Sequence, residues 1–173
     1  MKKKRIAWDA NRVPKEQGHR GDAYDLITRD NIKLGSDVWK FSLPVSAEAC
    51  PGATPWCRQF CYAKEGWYIR KLIQNIRDQN WTAAQAGDFV QRLQRDIHHA
   101  NPNLFRIHDS GDFFSVSYIE AWERVIEAFP AVHFWAFTHS WRVPELLPAL
   151  EQLRQRPIKF YFATENFHIA RAS

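Results

Sequence analysis

Cys50, Cys57 and Cys61 are the only cysteines of this 173-residue chain, and all three fall within twelve consecutive positions. An odd, crowded set of thiols is a poor disulfide framework and a good set of metal ligands. Six residues separate the first pair and three the second. A structural zinc ion takes four protein ligands, so zinc here would recruit a histidine, and His19, His108 and His139 are the candidates. Three thiolates on one loop suit a 4Fe-4S cluster instead, whose fourth iron is left open to a small molecule. The plain alternative is that the cysteines are unligated, buried hydrophobes. Against it, Pro51, Gly52 and Pro55 make the segment a turn-rich loop rather than core.

His108-Asp109-Ser110-Gly111-Asp112 is the second constellation. A glycine among small polar and acidic residues lets backbone groups approach a ligand, while Asp112 offers a carboxylate to a cation. A tight turn in which Asp109 or Ser110 caps the following helix explains the same residues. Beside a metal loop on the same sheet edge, the ligand reading is preferred. Phe60 and Tyr62 flank Cys61, where an aromatic ring could face a cofactor. Phe134, Trp135, Phe137, Phe160, Tyr161 and Phe162 alternate along predicted strands and read as core packed on both faces of a sheet. His98 and His99 close a helix and read as a C-terminal cap.

The elements that position these residues follow from periodicity. Residues 1–36 are polar, charged and broken by Gly18, Gly21 and Gly35, which predicts an irregular N-terminal arm. Residues 37–173 form one domain carrying the cysteine loop. Val38 to Leu43 alternates as a strand and stops at Pro44. Helical spacing covers Tyr62 to Asp78 and Thr82 to His99. Strands at Leu104–Ile107, Val132–Phe137 and Ile158–Ala163 then alternate with helices at about Ser115–Ala128 and Pro144–Arg154. That order predicts an α/β fold with parallel strands and right-handed crossovers. His108 to Asp112, Thr138-His139-Ser140 and Thr164-Glu165-Asn166 all follow strand ends, so polar groups and the cysteine loop gather at the carboxyl edge of the sheet.

Composition sets the outer limits. A 45% hydrophobic content supplies one core for one domain. No run of eighteen apolar residues spans a membrane, and Met1-Lys2-Lys3-Lys4-Arg5 leads into no signal-peptide core, so a cytoplasmic protein without membrane contact is expected. The net charge of +5 suits nucleic acid as a partner, although the first five residues hold much of the excess.

Phe60-Cys61 resembles the radical S-adenosylmethionine proteins, which carry an aromatic residue just before the last of three cysteines; the spacing here, six and three residues, differs from their three and two. More closely, Cys50-Pro51-Gly52-Ala53-Thr54 through Cys61-Tyr62-Ala63, with Phe105 through Phe114, resembles the phage gene product 88 family over about residues 38–166. The radical resemblance implies a 4Fe-4S cluster on the three cysteines and S-adenosylmethionine as small-molecule cofactor. Ser110-Gly111-Asp112 would then grip the amino group of the methionine moiety, and Thr138, Ser140 and Asn166 would reach its ribose or carboxylate. It also implies one-electron cleavage of the sulfonium and hydrogen abstraction from a substrate, with His108 and His139 as candidate proton donors or as residues lining the mouth. A phage origin would put the protein in the host cytoplasm and points to nucleotide or nucleic-acid modification. A Cys3His zinc module that binds nucleic acid or protein, and an electron carrier, are the competing functions. A complete eight-stranded barrel takes about 200 residues or more. The expected architecture is therefore a parallel-stranded partial (β/α) barrel, either truncated or open at its last strand, whose edge would invite a homo-oligomer.

Overall fold

A computed structural model describes residues 25–31 and 35–163. Its elements in order are β1 (Thr28–Asn31), β2 (Gly35–Phe41), α1 (Pro55–Gln59), α2 (Lys71–Ala84), α3 (Phe89–Ala100), β3 (Leu104–Ile107), α4 (Val116–Ala128), β4 (His133–Thr138), α5 (Leu147–Leu153) and β5 (Ile158–Phe162). The strands form one mixed sheet in the order β1-β2-β3-β4-β5. β2 through β5 run parallel in consecutive order, as expected for strands joined by helical crossovers. β1 is antiparallel to β2, pairing Thr28 with Lys40. The arm expected to be irregular thus contains a strand in its last part, too short and polar to show period-two alternation; residues 1–24 lie outside the described set. Among the described residues the sheet is open, with β1 and β5 at its edges.

The helices cover one face. α3 packs on α4 and α4 on α5, and α3 turns Phe89, Leu93 and Ile97 inward at four-residue spacing. Asn101 in the left-handed region stops α3, its N–H bonding the Ile97 carbonyl. Ser115 caps α4 by accepting from the Tyr118 N–H, and the helix buries Tyr118, Ile119, Trp122, Val125 and Ile126. These meet Phe41, Phe105, Ile107, Phe134 and Ala136 of the strands, all essentially inaccessible to solvent. Two buried polar side chains fix the arm to this layer. Asp96 accepts from the Leu26 N–H at 2.7 Å, and Asn80 donates to the Leu26 and Ser42 carbonyls.

The opposite face departs from expectation. Lys40, Arg106, Trp135 and Lys159 form one lateral row of it through strand pairing, and Phe137 and Tyr161 a second. Phe137 and Tyr161 are 41% and 47% exposed. These aromatics therefore do not pack in a two-sided core; no described element covers them. The helix expected from Tyr62 begins only at Lys71, because Gly66 adopts φ 61° and divides the preceding stretch into two 3-10 turns, Tyr62–Lys64 and Gly66–Ile69. No helix among the described residues is long and apolar enough to cross a membrane.

Candidate metal centre

Pro44 ends β2 at the carboxyl edge, and the chain then folds into a loop held by two local caps. Ser46 Oγ accepts from the Ala49 N–H, and Thr54 Oγ1 accepts from the Cys57 N–H at the start of α1. Cys50 precedes α1, Cys57 lies within it and Cys61 follows it. All three are free thiols that line one cleft of about 200 Å³, with Arg58 and Lys64 among its other walls. Burial pushes the Cys50 thiol up to about 12, helped by Asp112 and by the Cys61 and Cys57 thiols. Burial also raises Cys57, with Cys61 and Asp112 adding to it and Arg58 and Arg142 opposing. Thiols that resist one another's ionisation are relieved by a shared cationic centre.

A zinc ion with 2.3 Å bonds to sulfur brings its ligands to roughly 3.8 Å from one another. Among the described residues no three His, Cys, Asp or Glu side chains are gathered closely enough to hold a metal ion. A multi-iron cluster places each thiolate on a separate iron and so takes a wider set. The chemistry of three thiols beside two cations fits such a cluster, whose charge Arg58 and Lys64 would offset.

The His108–Asp112 turn holds this loop in place. Gly111 adopts φ 77° against Leu43, where an added Cβ would lie 2.4 Å from the Leu43 Cβ. Ser110 bonds both backbone groups of Leu43, its carbonyl accepting from the N–H and its hydroxyl donating to the carbonyl. The Asp112 N–H donates to the Ala49 carbonyl one residue before Cys50. Its carboxylate accepts from the Phe113 N–H, the Thr138 hydroxyl and the His139 N–H, which joins the ends of β3 and β4. Burial pushes this carboxyl up to about 6 against those three donors. Gly52 in turn lies on β4's end, its would-be Cβ 2.1 Å from the His139 carbonyl oxygen.

His108 does not line a mouth. At φ 62° it turns into the helix-covered core among Phe41, Phe113, Tyr118 and Trp122. Its Nε2 pairs with the Tyr118 hydroxyl at 2.8 Å, and burial drives its pKa down to about 3. The His108 ring thus faces Tyr118 and is not among the residues lining the cysteine cleft. His139 is half-buried beside the cysteine loop, with Nδ1 2.7 Å from Arg142.

Asp109 emerges on the opposite, open side. It accepts from Ser42 and Lys40, while Tyr62 donates to its backbone carbonyl. Burial raises its carboxyl, but Lys40, Ser42 and Arg77 outweigh this and hold it below the ordinary range. Arg106 donates to the Tyr62 hydroxyl and to the His108 carbonyl, so the open face joins the cysteine loop directly. Phe60 is exposed and packs on Trp56. Thr138 and Ser140 are buried at the edge, the Thr138 hydroxyl accepting from the Ser140 N–H. Asn166 and His19 lie outside the described residues. Cys50, Cys57, Cys61, Tyr62, Ser110, Gly111, Asp112, Thr138, His139 and Ser140 thus share one sheet edge. Sequence reasoning missed Arg58, Lys64, Arg77 and Arg106; the first two could have been found as cations one and three residues past a cysteine of the loop.

A family model described as Gene product 88 matches residues 15–168. The Gene 88 protein of Mycobacterium phage L5 is 35% identical over 136 residues, covering 71% of this chain and 56% of the relative. That of Mycobacterium phage D29 is 33% identical over 136 residues, covering 71% and 55%. The chain thus spans little more than half the length of these relatives. No solved structure matches it. With nine-tenths of its length in one family model and two phage relatives above 30% identity, the chain belongs to the gene product 88 family.

Proposed function

We propose that this is an iron–sulfur protein in which Cys50, Cys57 and Cys61 hold a 4Fe-4S cluster, and that it is an enzyme of the radical S-adenosylmethionine type. The observation that carries the reading is one cleft lined by three free thiols at the carboxyl edge of parallel strands. The core position of His108 favours a cluster over zinc, since it withdraws one of the histidines that would complete a Cys3His set. When bound, the cluster supplies an electron and an open iron for the methionine moiety.

The chain's own residues orient and shield that chemistry. Ser110, Gly111 and Asp112 set the height of the cysteine loop, and Thr138 and Ser140 fix the adjoining edge that would receive S-adenosylmethionine. Phe60 and Tyr62 flank the last ligand and screen it from water. His139, the histidine left beside the loop, would exchange a proton. The strands form the wall of a partial barrel whose open side receives the substrate.

Anaerobic reconstitution with iron and sulfide, followed by absorbance and electron spin resonance of the reduced protein, tests this reading. Brown protein with a reduced signal that shifts on adding S-adenosylmethionine is expected. Colourless protein holding one zinc per chain sinks it.

A further inference from the structure

The open face of the sheet has a composition unlike an oligomer interface. Its first row, Lys40-Arg106-Trp135-Lys159, sets three cations and one aromatic side by side across four strands. The next row places Phe137 beside Tyr161, rings 5.0 Å apart and within 21° of parallel. β3, β4 and β5 contain no acidic residue, and the buried carboxylate of Asp109, on this side, is taken up by Lys40 and Ser42. A second copy docked here about a twofold axis would set lysine and arginine against their own kind. A polyanion with flat apolar groups satisfies both features, cations taking phosphates and exposed rings taking unpaired bases. Duplex bases are already stacked on each other and cannot use the rings.

We propose that this face binds single-stranded nucleic acid, with bases stacked on Phe137 and Tyr161 and phosphates neutralised by Lys159 and Arg106. Through Arg106 and Tyr62 the strand runs toward the cysteine cleft. As the substrate of the proposed enzyme, it rests on the iron–sulfur reading; as a ligand, it does not.

The test is fluorescence anisotropy of a labelled twelve-nucleotide oligothymidylate titrated with the full chain, as purified and again after reconstitution. The single strand should bind more tightly than a duplex of equal length. The F137A/Y161A double variant should weaken binding about tenfold or more, given the usual worth of base–aromatic stacking. Lys159→Ala should reduce the slope of log affinity against log salt by about 0.7, one phosphate contact. No binding, equal affinity for duplex, or an unchanged F137A/Y161A variant would overturn the proposal. So would loss of binding only when Lys2, Lys3 and Lys4 are replaced, or sedimentation showing a second copy that oligothymidylate does not displace. Each readout is independent of the cluster signal, so the two readings fail separately. Circular dichroism checks that the variants are folded, and Lys159→Glu, at an exposed position, supplies a second probe with the same expected direction.

Discussion

The cysteine loop and the His108–Asp112 turn lie against each other at one sheet edge. The loop presents half-exposed thiols and two cations to a cleft, held by single-residue caps. In the turn, Asp109, Ser110 and Asp112 are buried and each oxygen of their side chains has a donor or acceptor. A site that receives a cofactor keeps ligand capacity unfilled, while the scaffold behind it fills its own. The two segments should therefore respond oppositely to mutation.

The largest effect is expected from Asp112→Ala, which leaves the Thr138 hydroxyl and the His139 and Phe113 N–H groups without an acceptor. At about 1–3 kcal/mol for each orphaned group, the loss of unfolding free energy should reach roughly 3 kcal/mol or more. Urea denaturation measures it; a change under about 1 kcal/mol would mean the carboxylate does not bind the strand ends together. Gly111→Ala comes next, at roughly 2–4 kcal/mol, from a left-handed backbone and the contact with Leu43. Shortening Leu43 to Ala in the same chain keeps the clashing Cβ and should not restore stability; a rescue would break the assignment to that contact.

Asp109→Asn should cost about 1 kcal/mol near neutral pH, where the carboxylate is ionised beside Lys40. Since the folded carboxyl titrates below its unfolded value of about 3.9, its contribution is present above that pH and lost as pH falls through the lower folded value. The stability gap between wild type and variant should close on acidification below about pH 4; a constant gap would break the link to Lys40. Smallest for stability is Cys57→Ala, expected within about 0.5 kcal/mol as for a partly exposed site, yet this variant should lose most of its iron after reconstitution. A large stability loss with iron retained would reverse the contrast between loop and turn.

Much of the edge was legible because its signals are local. β3 runs from Leu104 to Ile107 as alternation indicated, and the strand before Pro44 ends near where the proline requires. The three cysteines converge because fewer than a dozen residues join them. The rest depends on distant partners. β1 is a strand through its pairing with β2, and its own four residues carry no pattern. The roles of Ser110 and Asp112 follow from Leu43, Ala49 and Thr138, separated from them by dozens of residues in two cases. The aromatics of β4 and β5 misled because alternation reports two faces without stating whether a second layer covers both.

The positive φ of His108 has a topological effect. Ile107 and His108 both face the helices, so one inverted residue breaks the odd–even parity of β3 and delivers Asp109 to the other side. A single backbone inversion lets consecutive side chains serve two separate compartments, an aromatic box under the helices and an ion-paired pocket around Lys40. Which compartment each side chain enters is set by this torsion angle together with the residue count before it, so the strand can lengthen or shorten upstream only in steps of two without exchanging the two compartments.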